Sequence, residues 1–403
     1  MRHALLTEVW FPEIGGSIHL YDHIYRENFP LTDSVHVIAG GNDGDEVHDA
    51  SYALPVTRFS RKKYEWLKPE SGLEYARMVS RVLQVLRRER IEVLHCGRVI
   101  PEGLVAWGLH KLTGIPYVVW NHGEDVALYL KYPVKKKLMR QIFQGARGVL
   151  ANSSFTRATV QIAGAPSDKL HVVNPAVDAD AFAGPFETQD LVERWGLSGK
   201  RVLLTVGRLT RRKGHDHVLQ ALARLKLQDV VYLVLSDGEL EEELKALSNE
   251  LGLQDVVRWV GPVSREDVAR YYHVCDVFVM ANRTLSDDDC EGFGMVFLEA
   301  SAAGKPVLGG RSGGTVDAIS HGVSGLLVDA SSVDPVAEGI KTLLDDEALR
   351  KRLGEQGRAW ARTFSWERAA RRVRAIAAGE PLTPDAPEAS ASNGVERAEE
   401  RAP

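Results

Sequence analysis

Short apolar segments alternate with helical patterns along nearly the whole chain, and this alternation constrains the fold more than any other feature. In the first half the apolar segments read VHVIAG, VLHCG, YVVWNH and GVLANS. The second half repeats the scheme with VLLTVG, VVYLVL, VVRWVG, VFVMAN and KPVLGG. Strands that alternate with helices pair in parallel and are covered on both faces, so the sequence predicts two doubly wound α/β domains that face one cleft.

The clearest helical pattern reads GLEYARMVSRVLQVLRRER. Its apolar residues recur near helical spacing, which predicts that one face of this helix packs on the first sheet. That face consists of Leu73, Ala76, Val79, Leu83 and Leu86.

Length and composition agree with two domains. The chain has 403 residues, of which 44% are hydrophobic, enough for two or three domains with sizeable cores. A stretch rich in Pro, Gly, Ala and Asp near residues 174–185 predicts a hinge, which places the first domain at 1–178 and the second at 179–363. Residues 379–403 are rich in Pro, Ala, Ser and Glu without apolar periodicity, and this composition predicts a disordered tail.

The segment EGFGMVFLE places two carboxylates, Glu291 and Glu299, around a Gly-Phe-Gly turn that opens a helix. A loop carboxylate and a helix carboxylate can then face the same ligand. The free N–H groups of the first helical turn suit a phosphate. The alternative is structural, because acidic residues near a helix start also stabilise the helix.

A basic loop follows the strand VLLTV, and it carries Arg208 and Lys213. A guanidinium forks onto phosphate oxygens while an ammonium acts as a mobile point charge, so the pair suits a diphosphate. The alternative is a solvated basic loop. Further on, KPVLGGRSGGTVDAI has two glycine pairs, Gly309–Gly310 and Gly313–Gly314, where the missing Cβ atoms let backbone approach a ligand closely.

Taken together and in this order, GRLTRRKG, EGFGMVFLE and SGGTVDAI resemble family 4 of the retaining glycosyltransferases, which use nucleotide sugars and have the GT-B fold. FPEIGGSIHLYDHI resembles the family's double-glycine loop, with Gly15 and Gly16 near the donor phosphates. NHGED resembles the segment that carries the family's histidine, here His122. NPAVDADAF is similar to the connector between the domains, and TFSWERAARRV to the final helix, which implies that 364–378 packs back on the first domain.

The resemblance implies roles for these residues. Arg208 and Lys213 would stabilise the departing diphosphate, Glu299 would bind the ribose, and Glu291 and His122 would hold the transferred sugar. The main chain of Phe293, Gly294 and Met295 would support the sugar or phosphate. The alternative for the histidine is a cap on a strand end. Retention would follow from attack on the same face, with the leaving phosphate accepting the proton.

Two features depart from this pattern or compete with it. LVLSDGEL has Ser236 and Asp237 before Gly238 where many relatives have a glycine-rich turn, so backbone approach there is expected to be looser. TLSDDDCEG contains an acidic triplet that could bind a divalent metal; the alternative is a solvated rim, and the resemblance implies metal-independent transfer without a cofactor. The triplet is Asp287, Asp288 and Asp289.

The expected function is therefore retaining transfer of a hexosyl group from GDP-mannose or UDP-glucose to a hydroxyl acceptor. One alternative is another GT-B enzyme, either a sugar-nucleotide epimerase or a phosphorylase, although nothing marks a lysine for pyridoxal phosphate. The other alternative is a silent nucleotide-sugar-binding protein, against which the intact cations and carboxylates argue.

The acceptor is open between a small molecule, a glycan and a lipid-linked molecule. A net charge of −5 and the lack of an aromatic-basic module argue against nucleic acid. Three cysteines without metal spacing indicate reduced thiols. No apolar run approaches the roughly 20 residues that span a bilayer, and the start of the chain does not resemble a signal peptide, so a cytoplasmic location is expected.

Two basic segments favour peripheral contact with the inner face of a membrane. One is residues 58–90, and in the other, basic side chains stand next to apolar ones. Cationic and apolar groups side by side suit an anionic lipid surface; the alternative is a solvated helix whose apolar residues face the core. The second segment comprises Lys135, Lys136, Lys137, Leu138, Met139, Arg140, Ile142 and Phe143.

Overall fold

The computed structural model describes residues 1–13, 15–41, 44–60, 71–285 and 289–382. Most of the predicted tail, from residue 383 onward, lies outside the described residues, as do residues 61–70 of the first basic segment and Asp287 and Asp288 of the acidic triplet.

The first sheet has seven parallel strands in the order β3-β2-β1-β4-β5-β6-β7. The first strand pairs Leu5 with Val37 on one side and with His95 on the other, so it is an interior strand, third from one edge of the sheet. The strands are β1 (Arg2–Thr7), β2 (Ser34–Gly41), β3 (Val56–Ser60), β4 (Val93–Cys96), β5 (Tyr117–Asn121), β6 (Gly148–Ala151) and β7 (Leu170–Val172).

The second sheet has six parallel strands in the order β10-β9-β8-β11-β12-β13. In each sheet the first three strands are added toward one edge and the later strands toward the other edge, starting beside the first strand. This is the doubly wound order that the alternation of strands and helices predicted. The strands are β8 (Arg201–Val206), β9 (Val230–Leu235), β10 (Val257–Gly261), β11 (Val277–Met280), β12 (Val307–Gly310) and β13 (Gly325–Val328).

Helices cover both sheets. In the first half they are α1 (Gly16–Tyr21), α2 (Asp45–Asp49), α3 (Gly72–Arg88), α4 (Leu104–Thr113), α5 (Glu124–Leu130), α6 (Pro133–Gly145) and α7 (Ser154–Ile162). In the second half they are α8 (Gln189–Trp195), α9 (His215–Leu225), α10 (Glu241–Glu250), α11 (Arg265–Val274), α12 (Met295–Ala302), α13 (Thr315–Ala318), α14 (Val333–Asp345), α15 (Glu347–Ala361) and α16 (Trp366–Ala378). Short π-helical turns (Asp22–Glu27, Val99–Gly103) and 3₁₀ turns (Ser167–Lys169, Arg211–Lys213) complete the set within the described part.

The face that α3 buries differs from the predicted one. The buried apolar side chains are those of Met78, Val82, Val85 and Leu86, whereas Leu73 is 61% exposed. The helix is present where the pattern placed it, and Val79 and Leu83 are partly buried against the core. The buried side is rotated about the helix axis from the predicted one, because burial begins in the first turn at Glu74 and not at Leu73.

The last helix returns to the first domain. Ile376 of α16 lies against the backbone of Gly148 in β6, where an added Cβ would come within 2.2 Å of its Cγ2. Arg374 Nε donates to Asp33 Oδ2 over 3.0 Å, and Arg147 donates to the Ala377 carbonyl over 2.6 Å. The chain changes from the first sheet to the second between β7 and β8, a segment that contains the predicted boundary at 178/179; the boundary itself stays a prediction.

None of the helices in the described part of the chain is long and apolar enough to cross a membrane.

Candidate active site

A cleft of about 640 Å³ lies between the carboxyl ends of the two sheets. In the first sheet β1 and β4 are neighbours, and in the second β8 and β11 are, so each side of the cleft is a topological switch point. Ligands of doubly wound sheets bind at these points. Most of the predicted site residues line this cleft: Gly16, His122, Arg208, Lys213, Glu291, Phe293, Gly294, Met295 and Glu299.

The basic loop after β8 presents two different cations. Arg208 is exposed, and its guanidinium has no ion-pair partner among the described residues. Lys213 is mostly covered, and its Nζ lies 2.5 Å from Glu291 Oε2. Gly214 ends this loop at φ +73, with its Cα so close to the strand β11 exit that a Cβ would meet the Ala281 oxygen at 1.9 Å. Only glycine fits there, and this close packing fixes where the loop turns into α9.

The loop before α12 brings Glu291 to the cleft wall, where the residue is 8% exposed. Gly294 caps the helix in the left-handed region at φ +93, and the first turn of α12 begins at the cleft with Met295. Phe293 is buried and packs edge-on against Phe364 at 5.9 Å between ring centroids. The packing of Phe293 on Phe364 therefore anchors the turn on the side away from the cleft, while the backbone of the turn faces the cleft.

Of the two glycine pairs, Gly313–Gly314 packs on this loop, whereas Gly309–Gly310 ends β12, and neither pair lines the cleft. A Cβ at Gly313 would lie 2.1 Å from the Glu291 oxygen, and one at Gly314 would lie 2.1 Å from the Gly292 oxygen. The Gly314 N–H also donates to the Glu291 carbonyl over 2.7 Å. The expectation that these glycines approach a ligand is corrected: the space beside Gly310, Gly313 and Gly314 is taken by protein backbone, and that beside Gly309 by side chains.

Glu299 faces the cleft from the second turn of α12. Its Oε2 accepts a hydrogen bond of 2.8 Å from the Tyr272 hydroxyl. Burial raises the pKa of this carboxyl, while Tyr272 and the more distant Arg265 lower it. One carboxylate oxygen is thus held by the protein, and the side chain is oriented before any ligand arrives.

His122 follows β5 on the opposite wall. Its Nε2 lies 2.6 Å from the Tyr21 hydroxyl, which can donate to the Gly97 carbonyl over 2.6 Å. Burial, with a smaller contribution from the charge of Arg98, lowers the pKa of His122 to about 4. The imidazole is therefore neutral at pH 7 and acts as a hydrogen-bonding group rather than a cation.

The two predicted N-terminal glycines differ in position. Gly16 begins α1 and lines the cleft, and a Cβ there would lie 3.5 Å from Met295 Cε of the other domain. Gly15 is the cap residue before it and does not line the cleft. A second close approach joins Gly292 to His122, whose oxygen would lie 3.0 Å from an added Cβ.

Several lining residues were not singled out from the sequence. Arg212 lies between the domains, with its Nη1 3.4 Å from Asp289 and 4.0 Å from Glu124. On the first-domain side, the lining residues that follow strand ends are Glu8, Arg98, Glu124, Asp125, Tyr129 and Asn152. Their positions after strands are a signal that could have identified them. Isolated charged residues occur in most loops, however, and these residues belong to no motif.

The acidic triplet has only Asp289 among the described residues, and it pairs with Arg212. No group of three or more His, Cys, Asp or Glu side chains in the described part is arranged to hold a metal ion. Cys96, Cys275 and Cys290 are free and buried.

The turn after β9 is the one whose sequence, LVLSDGEL, differs from the glycine-rich turn of many relatives. Ser236 in this turn has a φ of +120. Gly238 packs on Leu209, and a Cβ added to Gly238 would lie 2.5 Å from the Leu209 nitrogen.

The second basic segment forms α6, and three of its apolar residues face away from its exposed lysines. Met139, Ile142 and Phe143 are fully buried, which corrects the interpretation that they join a lipid-facing surface. Lys136 and Lys137 are exposed on the other face. The helix is amphipathic in the ordinary sense, with its apolar side on the core.

Two facing doubly wound sheets with one cleft between their carboxyl ends define the GT-B class of fold. Anabaena Alr3699/HepE in complex with UDP is similar to the chain with a TM-score of 0.80 at 20% identity, covering 94% of this chain and 100% of that one. WaaG, a glycosyltransferase involved in lipopolysaccharide biosynthesis, has a TM-score of 0.69 at 19% identity, covering 93% and 100%. The predicted GT-B fold is confirmed.

Two family descriptions match the two halves: Glycosyltransferase Family 4 over residues 31–181, and Glycosyl transferases group 1 over residues 188–360. A GDP-mannose-dependent alpha-(1-6)-phosphatidylinositol monomannoside mannosyltransferase of Mycolicibacterium smegmatis is 30% identical over 361 residues, which are 89% of this chain and 93% of that protein. A D-inositol 3-phosphate glycosyltransferase of Pseudarthrobacter chlorophenolicus is 31% identical over 311 residues, 73% of this chain and 72% of that one. The chain belongs to glycosyltransferase family 4, and the protein is a glycosyltransferase.

Proposed function

We propose that the protein transfers a mannosyl group from GDP-mannose to an acceptor hydroxyl with retention of configuration; UDP-glucose is the alternative donor. The observation that carries the proposal is the free guanidinium of Arg208 beside Lys213 at the switch point of the second sheet. A cation pair without a full set of partners suits the diphosphate of a nucleotide sugar. The mannosyltransferase relative supports mannose.

In this proposal the donor lies along the second-domain wall. The diphosphate is bound by Arg208, Lys213 and the first turn of α12, and the ribose hydroxyls by Glu299. Glu291 and His122 hold the sugar from opposite domains. Lys213 bridges the two parts, because the ammonium that contacts Glu291 has further hydrogens for a phosphate oxygen.

The chemistry follows from charge. Cleavage of the anomeric bond leaves negative charge on the diphosphate, and fixed cations stabilise that charge more in the transition state than before it. The neutral His122 orients a sugar hydroxyl without adding charge beside the cationic sugar. Retention fits attack on the face from which the diphosphate departs, with a phosphate oxygen taking the acceptor proton.

The donor is tested with a thermal-shift panel of GDP, UDP, ADP, GDP-mannose and UDP-glucose, since a ligand that binds only the folded state raises Tm. We expect the largest shift with GDP-mannose, and transfer that persists in excess chelator. The anomeric configuration of the product is read by NMR. An inverted product, or activity that requires added magnesium or manganese, would contradict the proposal.

We also propose a cytoplasmic protein whose first domain touches an anionic membrane surface. Lys136, Lys137 and Arg140 are exposed on α6, and Val134 beside them is 82% exposed. The phosphatidylinositol-mannoside relative supports a lipid-linked acceptor. Co-sedimentation with anionic vesicles at low salt should be lost in a triple Lys→Glu variant at 135–137; a wild type that stays in solution would favour a soluble glycan or small-molecule acceptor.

A further inference from the structure

The two walls of the cleft carry opposite charge. The second domain lines it with three cations, Arg208, Arg212 and Lys213, against the carboxylates of Glu291 and Glu299. An anionic diphosphate suits this wall.

The first-domain wall has the reverse composition. Among the described lining residues it has one cation, Arg98, against the carboxylates of Glu8, Glu124 and Asp125. These side chains follow β1, β4 and β5, three adjacent strands, so they stand together at the switch point of the first sheet.

The charge of Arg98 is already offset. Its Nη1 lies 3.5 Å from Glu8 Oε2, and it also lies in the field of Glu102 and Asp125. Glu102 is fully buried behind Glu8, whose backbone N–H donates to it over 2.8 Å. Burial raises the pKa of both Glu102 and Asp125, which weakens their share of the negative charge. The offset of Arg98 therefore rests on its contact with Glu8, and the Glu124 carboxylate adds further negative charge to this wall.

We propose that the part of the acceptor that enters the cleft is an uncharged, hydroxyl-rich ring, and that any phosphate of the acceptor stays outside. This inference rests on the transferase function proposed above. Carboxylates accept hydrogen bonds from hydroxyls and a guanidinium donates to them, whereas a phosphate at this wall would meet several like charges. The exposed lysines of α6 do not line the cleft, so they leave the charge of the wall unchanged.

The test compares two pairs of matched acceptors, each pair consisting of an uncharged and a phosphorylated ring. GDP-mannose and UDP-glucose are each used as the donor. The pairs are methyl α-D-mannoside with mannose 6-phosphate, and myo-inositol with myo-inositol 3-phosphate. We expect kcat/KM to favour the uncharged member of each pair at least about tenfold. Equal or better use of the phosphorylated members, or donor hydrolysis with no transfer to either uncharged ring, overturns the inference. Failure of the proposed function reads differently: neither donor is bound or hydrolysed.

A charge variant tests whether the carboxylates of the first-domain wall cause the preference for uncharged acceptors. Glu8→Gln keeps the size of the side chain and removes one negative charge, so we expect the preference for uncharged acceptors to shrink about tenfold while donor hydrolysis persists. Glu89→Gln is the matched control, because Glu89 is a surface carboxylate paired with Arg88 away from the cleft. An unchanged preference in Glu8→Gln would show that these carboxylates do not select the acceptor.

Discussion

Arg208 and Lys213 leave the same strand end, yet their side chains have different surroundings. Lys213 is neutralised by Glu291, whereas Arg208 is exposed in the cleft without an ion-pair partner in the described part of the chain. The sequence identified both as cations of one loop. Their division into a paired and a free cation depends on β11, which is more than 60 residues away and brings Glu291 to the loop.

We expect Arg208→Ala to lower turnover at saturating donor by about two to three powers of ten, the loss seen when one oxyanion donor is removed, with Tm unchanged. Arg211→Ala is the control in the same loop, since Arg211 pairs with Glu243 and does not line the cleft. Near-normal turnover in Arg208→Ala would mean that the diphosphate lies elsewhere.

Glu102 makes the stability of the first domain depend on pH. Burial raises its pKa to about 8, so the folded protein binds this proton more tightly than the unfolded chain does. Its contribution to the free energy of unfolding is therefore complete below the unfolded pKa of about 4.5 and is lost as the pH rises through about 8.

We expect the Tm of the wild type to fall more between pH 5.5 and pH 8.5 than the Tm of Glu102→Gln. The amide keeps an oxygen for the Glu8 N–H and carries no charge at either pH. Calorimetry at the two pH values measures the difference, and equal falls in both proteins would refute the raised pKa.

At the scale of elements, the loop before α12 depends on glycines that lie far from it in sequence. Gly313 has φ +54, and a Cβ there would lie 2.1 Å from the Glu291 oxygen. Gly322 has a similar φ of +78, and no described atom lies within 4 Å of a Cβ added there. A substitution at Gly322 therefore measures the cost of the backbone conformation alone, whereas one at Gly313 adds the cost of displacing the Glu291 loop.

Gly313→Ala should weaken donor binding at least about tenfold, because the Glu291 loop must move, whereas Gly322→Ala should cost only about 1 kcal/mol of stability. Titration calorimetry with the donor nucleotide and thermal unfolding measure the two effects. Equal donor affinity in both variants would show that Gly313 is not needed to position the Glu291 loop for donor binding.

At the scale of the whole molecule, polar contacts join the domains away from the cleft as well as within it. Asp317 Oδ2 of α13 accepts from the Ser154 N–H at the start of α7 over 2.5 Å and from Asn174 Nδ2 over 3.4 Å. Arg265 of α11 reaches His19 and His23 of the first domain over 2.8 and 2.9 Å. These contacts hold the walls of the cleft at the distance seen here.

We expect Asp317→Ala to enlarge the radius of gyration of the free protein in X-ray scattering and to lower turnover about tenfold, because a more open state must close before reaction. Asp346→Ala is the control, since Asp346 caps α15 through the Leu349 N–H and joins no second domain. Scattering curves that match the wild type would show that Asp317 is not needed for closure.

The sequence by itself determined the two doubly wound domains, the family, the placement of Arg208, Glu291 and His122 in loops after strands, and that of Glu299 on the helix that follows. These are local properties: periodicity and β-branched composition specify strands and helices, and a motif keeps its residues on one loop. The family, the fold and the helix at α3 were therefore predictable.

Only the tertiary structure decided which residues meet across distance. The same strand order that brings β8 beside β11 pairs Lys213 with Glu291, and the order that brings β1 beside β4 places Glu8 near Arg98. The sequence left the apolar face of α6 open between a lipid surface and the core, because helical periodicity shows that a helix has an apolar side but not what covers it. Burial and charge pairing depend on neighbours that are remote in sequence, and no local pattern contains them.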